Sequence, residues 1–353
     1  MQQLATRPWI ITAAAALAGA SVIAVTPLTT APVAVHISDV QLTSTDYDIT
    51  LDFVRHGQSE DNVASIIGTV APGAPLTAEG EQQAQTVAQA LQTEFPDGVN
   101  GVFASGLIRT QETAAPFATL ENMPVQDLSG LNELNAGIFE GAHQNTLTEL
   151  GYIAAPLLWT LGLYFVPELG SSDYSGAAFE SRFSAAVDQI YNQSATSPNA
   201  DVAFSHAAAI MTWVMMNVKN PDPLLIIQNQ LSNTGQVVIE GNPTDGWTLE
   251  SWNGMDIAPA SLLTELFVDV RNLITAPQMA LFNLWQALIG ADPTAITTAA
   301  QAAFQDVGTA LAQFPESVFN DISAVLQEGA AGLAGLVSGE PGPVIADALS
   351  SVI

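Results

Sequence analysis

Short apolar runs with β character alternate along much of this chain with segments whose apolar residues recur at helical spacing. The first run is "ITLDFV", residues 49–54. It is followed by "LTAEGEQQAQTVAQALQTEF", where Ala84, Val87, Ala88, Leu91 and Phe95 share one helical face. Thr77 suits the N-cap of that helix, and Glu79 and Glu81 favour its first turn. "GVFAS" predicts a strand and residues 107–118 a helix; "DVAFSHAAAIMTWVMMNV" predicts a second strand-to-helix junction. "GQVVIEG" and "WTLESW" supply two late strands. Such alternation predicts an α/β fold with a largely parallel sheet.

The texture changes at both ends. Arg7 precedes an apolar run from Trp9 to Val25, the layout of a secretory signal, with small residues Ala18 and Ala20 before a plausible cleavage point. Left uncleaved, the same run is about long enough to act as an anchor. Residues 1–25 are therefore expected to be a signal peptide or anchor that exports the protein to the cell envelope or beyond, and the Thr- and Pro-rich residues 26–46 a linker. After about Ile257 the chain turns Ala-rich and helical, with Arg271 as its one basic residue from Ser261 onward. Leu263, Leu266, Phe267, Val270 and Ile274 form one apolar face there. Ile296, Phe304, Val307 and Leu311 form another, with Asp292 and Pro293 at its start. These boundaries leave residues 47–256 as the catalytic unit and 257–353 as a helical extension.

Thirty-five acidic side chains face six basic ones, a formal net charge of −29. Nucleic acid is excluded as a partner, because phosphate backbones are bound by clustered Lys and Arg. Any membrane association is expected only through the N-terminal segment. No cysteine is present, so disulfides, thiolate nucleophiles and Cys-ligated zinc are excluded together. Lipase, P-loop and zinc-hydrolase chemistry lack their local motifs as well: G-x-S-x-G, G-x-x-x-x-G-K-[ST] and H-E-x-x-H do not occur.

The chemistry concentrates at Arg55-His56-Gly57, directly after the first strand, where α/β sheets place their ligand sites. This composition yields about 0.004 such triplets by chance. A histidine held beside a guanidinium at the start of a helix can attack phosphorus while its surroundings bind phosphate oxygens.

"VRHGQSEDN" with "PLTAEGEQQA" resembles the opening of the histidine phosphatase superfamily, the family of phosphoglycerate mutases and acid phosphatases. Three further motifs match in order: "SGLIRTQETA", "LNELNAGIFEG" and "FSHAAAI". The resemblance covers residues 47–254 and implies a three-layer α/β sandwich and a phosphohistidine intermediate on His56. It also implies that Arg55, Arg109 and His206 neutralise charge on the phosphoryl oxygens and that Glu133 donates the proton. Asn62 would donate to the phosphate or its ester oxygen, Gln58 and Ser59 would help hold the loop, and Gly57 would allow close backbone approach. His143 is a further candidate substrate contact, with a loop histidine making local hydrogen bonds as the favoured alternative. No metal or cofactor is implied. Arg182 is expected in a structural ion pair.

Two departures stand out. Ala207 occupies a position where the family usually has Gly, and "GYIAAPLLWTLGLYFVPELG" is apolar where mutases carry basic residues. From Gly57 to Gly254 the basic side chains are Arg109, Arg182 and Lys219, too few to grip a bisphosphorylated sugar. The expected activity is a phosphatase acting on a small monophosphate with an uncharged, apolar remainder. The alternatives are a phosphomutase and a catalytically silent interaction protein on the same fold. The C-terminal helices are expected to pack, bind a partner or self-associate.

Overall fold

A computed structural model describes residues 47–194 and 199–338, with side chains through residue 327. The signal and linker expected over residues 1–46 lie outside the described residues. Among the described residues no helix is long and apolar enough to cross a membrane.

Seven strands form one sheet among the described residues: β1 (Ile49–Arg55), β2 (Gly101–Ala104), β3 (Val125–Asp127), β4 (Ala200–Ser205), β5 (Gln236–Asn242), β6 (Gly246–Trp252) and β7 (Met255–Asp256). Their order is β3-β2-β4-β1-β5-β6-β7. The first four are parallel, while β5, β6 and β7 run antiparallel to their neighbours. Strand periodicity sends alternate side chains to opposite faces. Phe53, Phe103 and Ala203 join one core with α4 (Thr146–Thr160), α5 (Gly176–Gln193) and α6 (Ala207–Asn217). Val54, Val102 and Phe204 join a second core with α2 (Ala78–Glu94) and α3 (Ile108–Leu120). Burial on both faces explains why β2 is an unbroken apolar and small run and why every residue of β4, Asp201 included, is buried. This is the expected three-layer α/β sandwich.

The helix caps follow the sequence. Thr77 Oγ1 accepts from Gly80 N at the start of α2, and α9 (Pro293–Ser338) begins on Pro293 with Thr294 N donating to Asp292 Oδ1. Along α9, however, Phe304 and Leu311 are 81% and 61% exposed. Ala303, Val307, Ala310 and Phe314 are the half-buried residues on this stretch of the helix, which pairs with α8 (Leu262–Gly290). The hairpin these two helices make belongs to the same compact unit as the sheet. Arg271 of α8 is buried and donates from Nη1 to Met215 O and from Nη2 to Val218 O, satisfying carbonyls at the end of α6. Gln278 ties α8 to the chain after α4, donating to Gly162 O and accepting from Phe165 N.

The buried Asp52 carboxyl makes stability depend on pH. Asp52 is fully buried in β1 and accepts from Gln236 Nε2 at 2.6 Å; burial pushes its carboxyl from 3.8 up to about 8. Between those values the folded chain holds a proton that the unfolded chain has lost, so stability falls as pH rises through the window and levels off above it. Asp52→Asn should gain on the parent by up to about 1.4 kcal/mol for each pH unit between pH 4 and 8. Urea unfolding of both proteins at pH 5 and 7.5 measures this; an unchanged difference between them would show that Asp52 is ionised in the fold.

Candidate active site

Adjacent parallel strands deliver the reactive groups to one edge of the sheet. Arg55 pairs with Ser205 in the β1–β4 register, so His56 and His206 are each the next residue after paired strand ends. Ser105 follows β2 in the same row, and the chain then enters α3 with Arg109 in its first turn. The carboxyl ends of these strands therefore carry the site.

His56 Nδ1 lies 2.7 Å from Gly57 O. A carbonyl only accepts, so Nδ1 carries the hydrogen and Nε2 keeps its lone pair. Burial, then the charges of Arg109 and Arg55, hold the His56 pKa well below the usual histidine range. The ring is thus neutral, the state a nucleophile needs. His206 packs edge-on with ring centroids 5.2 Å apart, its Nε2 at 2.7 Å from Ser105 Oγ and its buried Nδ1 without a protein partner.

Two buried guanidinium groups supply the positive charge. Arg55 Nη1 donates to Leu231 O and Arg109 Nη2 to Gly68 O. Arg55 Nε, Arg109 Nε and Arg109 Nη1 make no hydrogen bond among the described residues, although Asp61 lies 3.9 Å from Arg109 Nη1. Buried N–H donors that the fold does not satisfy are rare, and this set suits a phosphoryl group with several anionic oxygens.

Glu133 faces the same cavity from the loop after β3. Its Oε1 accepts from Leu134 N and Ala209 N, both at 2.9 Å. Burial raises its pKa, against lowering contributions from those bonds and Arg109. The loop is clamped. Arg182 makes a bidentate pair with Asp173 at 2.8 and 2.9 Å and donates to Gly130 O and Asn132 O. Asp173 accepts in turn from Asn135 N, and Tyr152 Oη donates to Leu134 O. Arg182 is thus in the structural pair expected of it, and the pair brackets Glu133 on both sides.

Arg55, His56, Ser59, Asn62, Arg109 and Glu133 line one cavity of about 460 Å³. Asn62 Oδ1 accepts from Ser59 N and Asn233 Nδ2, leaving its own Nδ2 donors uncommitted among the described residues. Three candidates sit elsewhere. His206 is fully buried against the His56 ring and is not among the residues that line the cavity. Gly57 faces α2, where a Cβ would come 2.7 Å from Gly80 O, so the close backbone approach expected of it is made to the first turn of that helix. His143 is exposed and outside the wall, its backbone paired with Ile66 and its carbonyl accepting from Asn145 and Thr148. Glu140 is also committed, accepting from Thr69 N, Thr69 Oγ1 and Val70 N. Ala207 simply begins α6 without a positive φ, so no glycine is needed there.

Ser105, Tyr152, Asp173 and Asn233 were not singled out from the sequence. Each acts through a partner distant in the chain, and no local spacing marks it.

Residues 51–254 match the model of the histidine phosphatase superfamily (branch 1), and the chain belongs to that family. It is 49% identical over 283 residues to the PE-PGRS family protein PE_PGRS11 of Mycobacterium tuberculosis, covering 78% of this chain and 48% of that protein. Over 96 residues it is 38% identical to the probable phosphoglycerate mutase GpmB of an Enterobacter species, covering 27% and 43%. The chain thus spans about half the length of these curated relatives, or less. Among solved structures it is similar to a mycobacterial glucosyl-3-phosphoglycerate phosphatase, with 19% identity, TM-score 0.46, and 59% of this chain and all of that one covered. A phosphoserine phosphatase from Entamoeba histolytica matches at 25% identity and TM-score 0.46, covering 58% and 97%.

Proposed function

We propose that the protein hydrolyses phosphate monoesters through a phosphohistidine on His56, with Glu133 as the proton donor. The observation that carries this reading is the 2.7 Å contact of His56 Nδ1 with Gly57 O, which directs the Nε2 lone pair away from that bond, beside three guanidinium nitrogens without a partner among the described residues. In the first step Nε2 forms a bond to phosphorus, the ester P–O bond breaks, and the departing oxygen takes its electron pair and a proton from Glu133. In the second, water attacks phosphorus, Glu133 accepts its proton, and the N–P electron pair returns to Nε2 with release of inorganic phosphate. Arg55 and Arg109 offset the charge on the non-bridging oxygens throughout.

A phosphomutase must also hold a second acidic group. Among the described residues lining the cavity the basic side chains are Arg55 and Arg109, already at the phosphoryl position, while Asp61 and Glu149 repel an anion. That favours hydrolysis. Export through the N-terminal apolar run belongs to the same proposal and rests on the sequence alone.

The test is phosphate release from p-nitrophenyl phosphate, with and without EDTA, beside conversion of 3-phosphoglycerate. The expected result is release that EDTA does not change, since the charge comes from arginines. Loss in EDTA reversed by a divalent ion would mean the charge assignment is wrong; isomerisation without phosphate release would replace the phosphatase by a mutase.

A further inference from the structure

The cavity continues past the phosphoryl position. Tyr152, Ile153, Ala208 and Met211, which line it, are also one wall of a crevice between α4 and α6 closed by Pro156, Leu157, Thr212 and Ile226. No charged side chain lines this crevice among the described residues. The Tyr152 hydroxyl is committed to Leu134 O at 2.6 Å, so the ring presents carbon to the space. Of the neutral polar residues of the cavity, Ser59, Asn62, Thr69 and Asn233 lie around the phosphoryl position, while Gln144, Thr146 and Gln230 are exposed. The deep end is therefore apolar and the mouth polar, and apolar space of this kind stays dry and takes apolar groups.

We infer that the α4–α6 crevice is a subsite for an aliphatic chain, which makes the favoured substrate class the phosphate monoester of an apolar alcohol. This rests on the phosphatase reading of the same site and adds the substrate's other half. The phosphoryl group lies on Arg55 and Arg109, the first carbons pass Leu231 and Ala207, and the chain continues between Ile153 and Met211. Met211 suits this position because an unbranched thioether yields to an entering chain at small cost. The crevice is short, about 20 Å³, so only the end of a chain is enclosed and the benefit of length must saturate.

Alkylphosphonates test this directly, because their P–C bond cannot be hydrolysed and binding is read without turnover. Titration calorimetry of the full chain with methyl-, propyl-, hexyl- and octylphosphonate should show the dissociation constant falling about threefold to fourfold for each added methylene, then levelling off. Normalised to methylphosphonate on the same variant, Leu157→Phe should bring the plateau to shorter chains and Leu157→Ala should move it to longer ones. A dissociation constant indifferent to chain length, or a plateau unmoved by both variants, overturns the subsite. p-Nitrophenyl phosphate turnover run in parallel separates the two claims. Turnover with a flat chain-length series keeps the phosphatase and removes the subsite; a steep series without turnover keeps the subsite and removes the phosphatase.

Discussion

Replacing His56 by Ala is expected to lower p-nitrophenyl phosphate hydrolysis by about three orders of magnitude or more. Nothing else in the cavity can take over the attack. His206 is fully buried and does not line the cavity, and Glu133 has one oxygen committed to two backbone N–H groups. Binding should survive, because the guanidinium donors stay in place. The cost to stability should be about 1 kcal/mol, the worth of the hydrogen bond to Gly57 O. Steady-state assays on both proteins, with urea unfolding as the control for folding, measure these effects. Turnover in the variant within tenfold of the parent would sink the assignment of His56 as nucleophile.

Glu133→Gln should separate the proton donor from the nucleophile. The glutamine carbonyl can still accept from Leu134 N and Ala209 N, so the loop keeps its anchor, but the side chain no longer supplies an acidic proton. An alkoxide cannot leave without that proton, whereas p-nitrophenolate leaves unaided. The loss in kcat/KM should therefore be about 10²- to 10⁴-fold for an alkyl phosphate, the usual range for general acid catalysis, and about 10- to 100-fold smaller for p-nitrophenyl phosphate. If water attack limits turnover, the contrast shrinks in kcat and survives in kcat/KM. His56→Ala should show no such selectivity. Equal losses in kcat/KM for both leaving groups would rule Glu133 out as the acid. Neither His143 nor Glu140 is then a ready substitute: one lies outside the cavity wall, and the other is bonded to Thr69 and Val70.

The alternation of strands and helices was readable because it is local. β1, α2, β2, α3, β4, α6, β5 and β6 each carry their period, and usually their start signal, within a few residues. β3, with three residues, and β7, with two, were too short to show a period. Arg55, His56, Arg109, Glu133 and His206 were readable for another reason: each sits in a motif whose neighbours are specific. His143 is the candidate for which the sequence favoured a loop histidine over a substrate contact. It follows "FEG" in the sequence, and the backbone bridge to Ile66 leaves its side chain outside the cavity wall.

Hydrophobic period and short motifs are properties of neighbouring residues, and they were enough to specify the class of fold and the superfamily. Tertiary structure sets the His56 tautomer, because that depends on which atom faces Nδ1. It alone decided that Arg182 and Asp173 brace the Glu133 loop and that Arg271 closes the end of α6, whose first turn holds Glu133 through Ala209. It also decided that the apolar α4 lends one face to the cavity. Those are choices of partner between segments tens of residues apart, and burial settles them: a polar group removed from water must be matched by whatever the fold brings beside it.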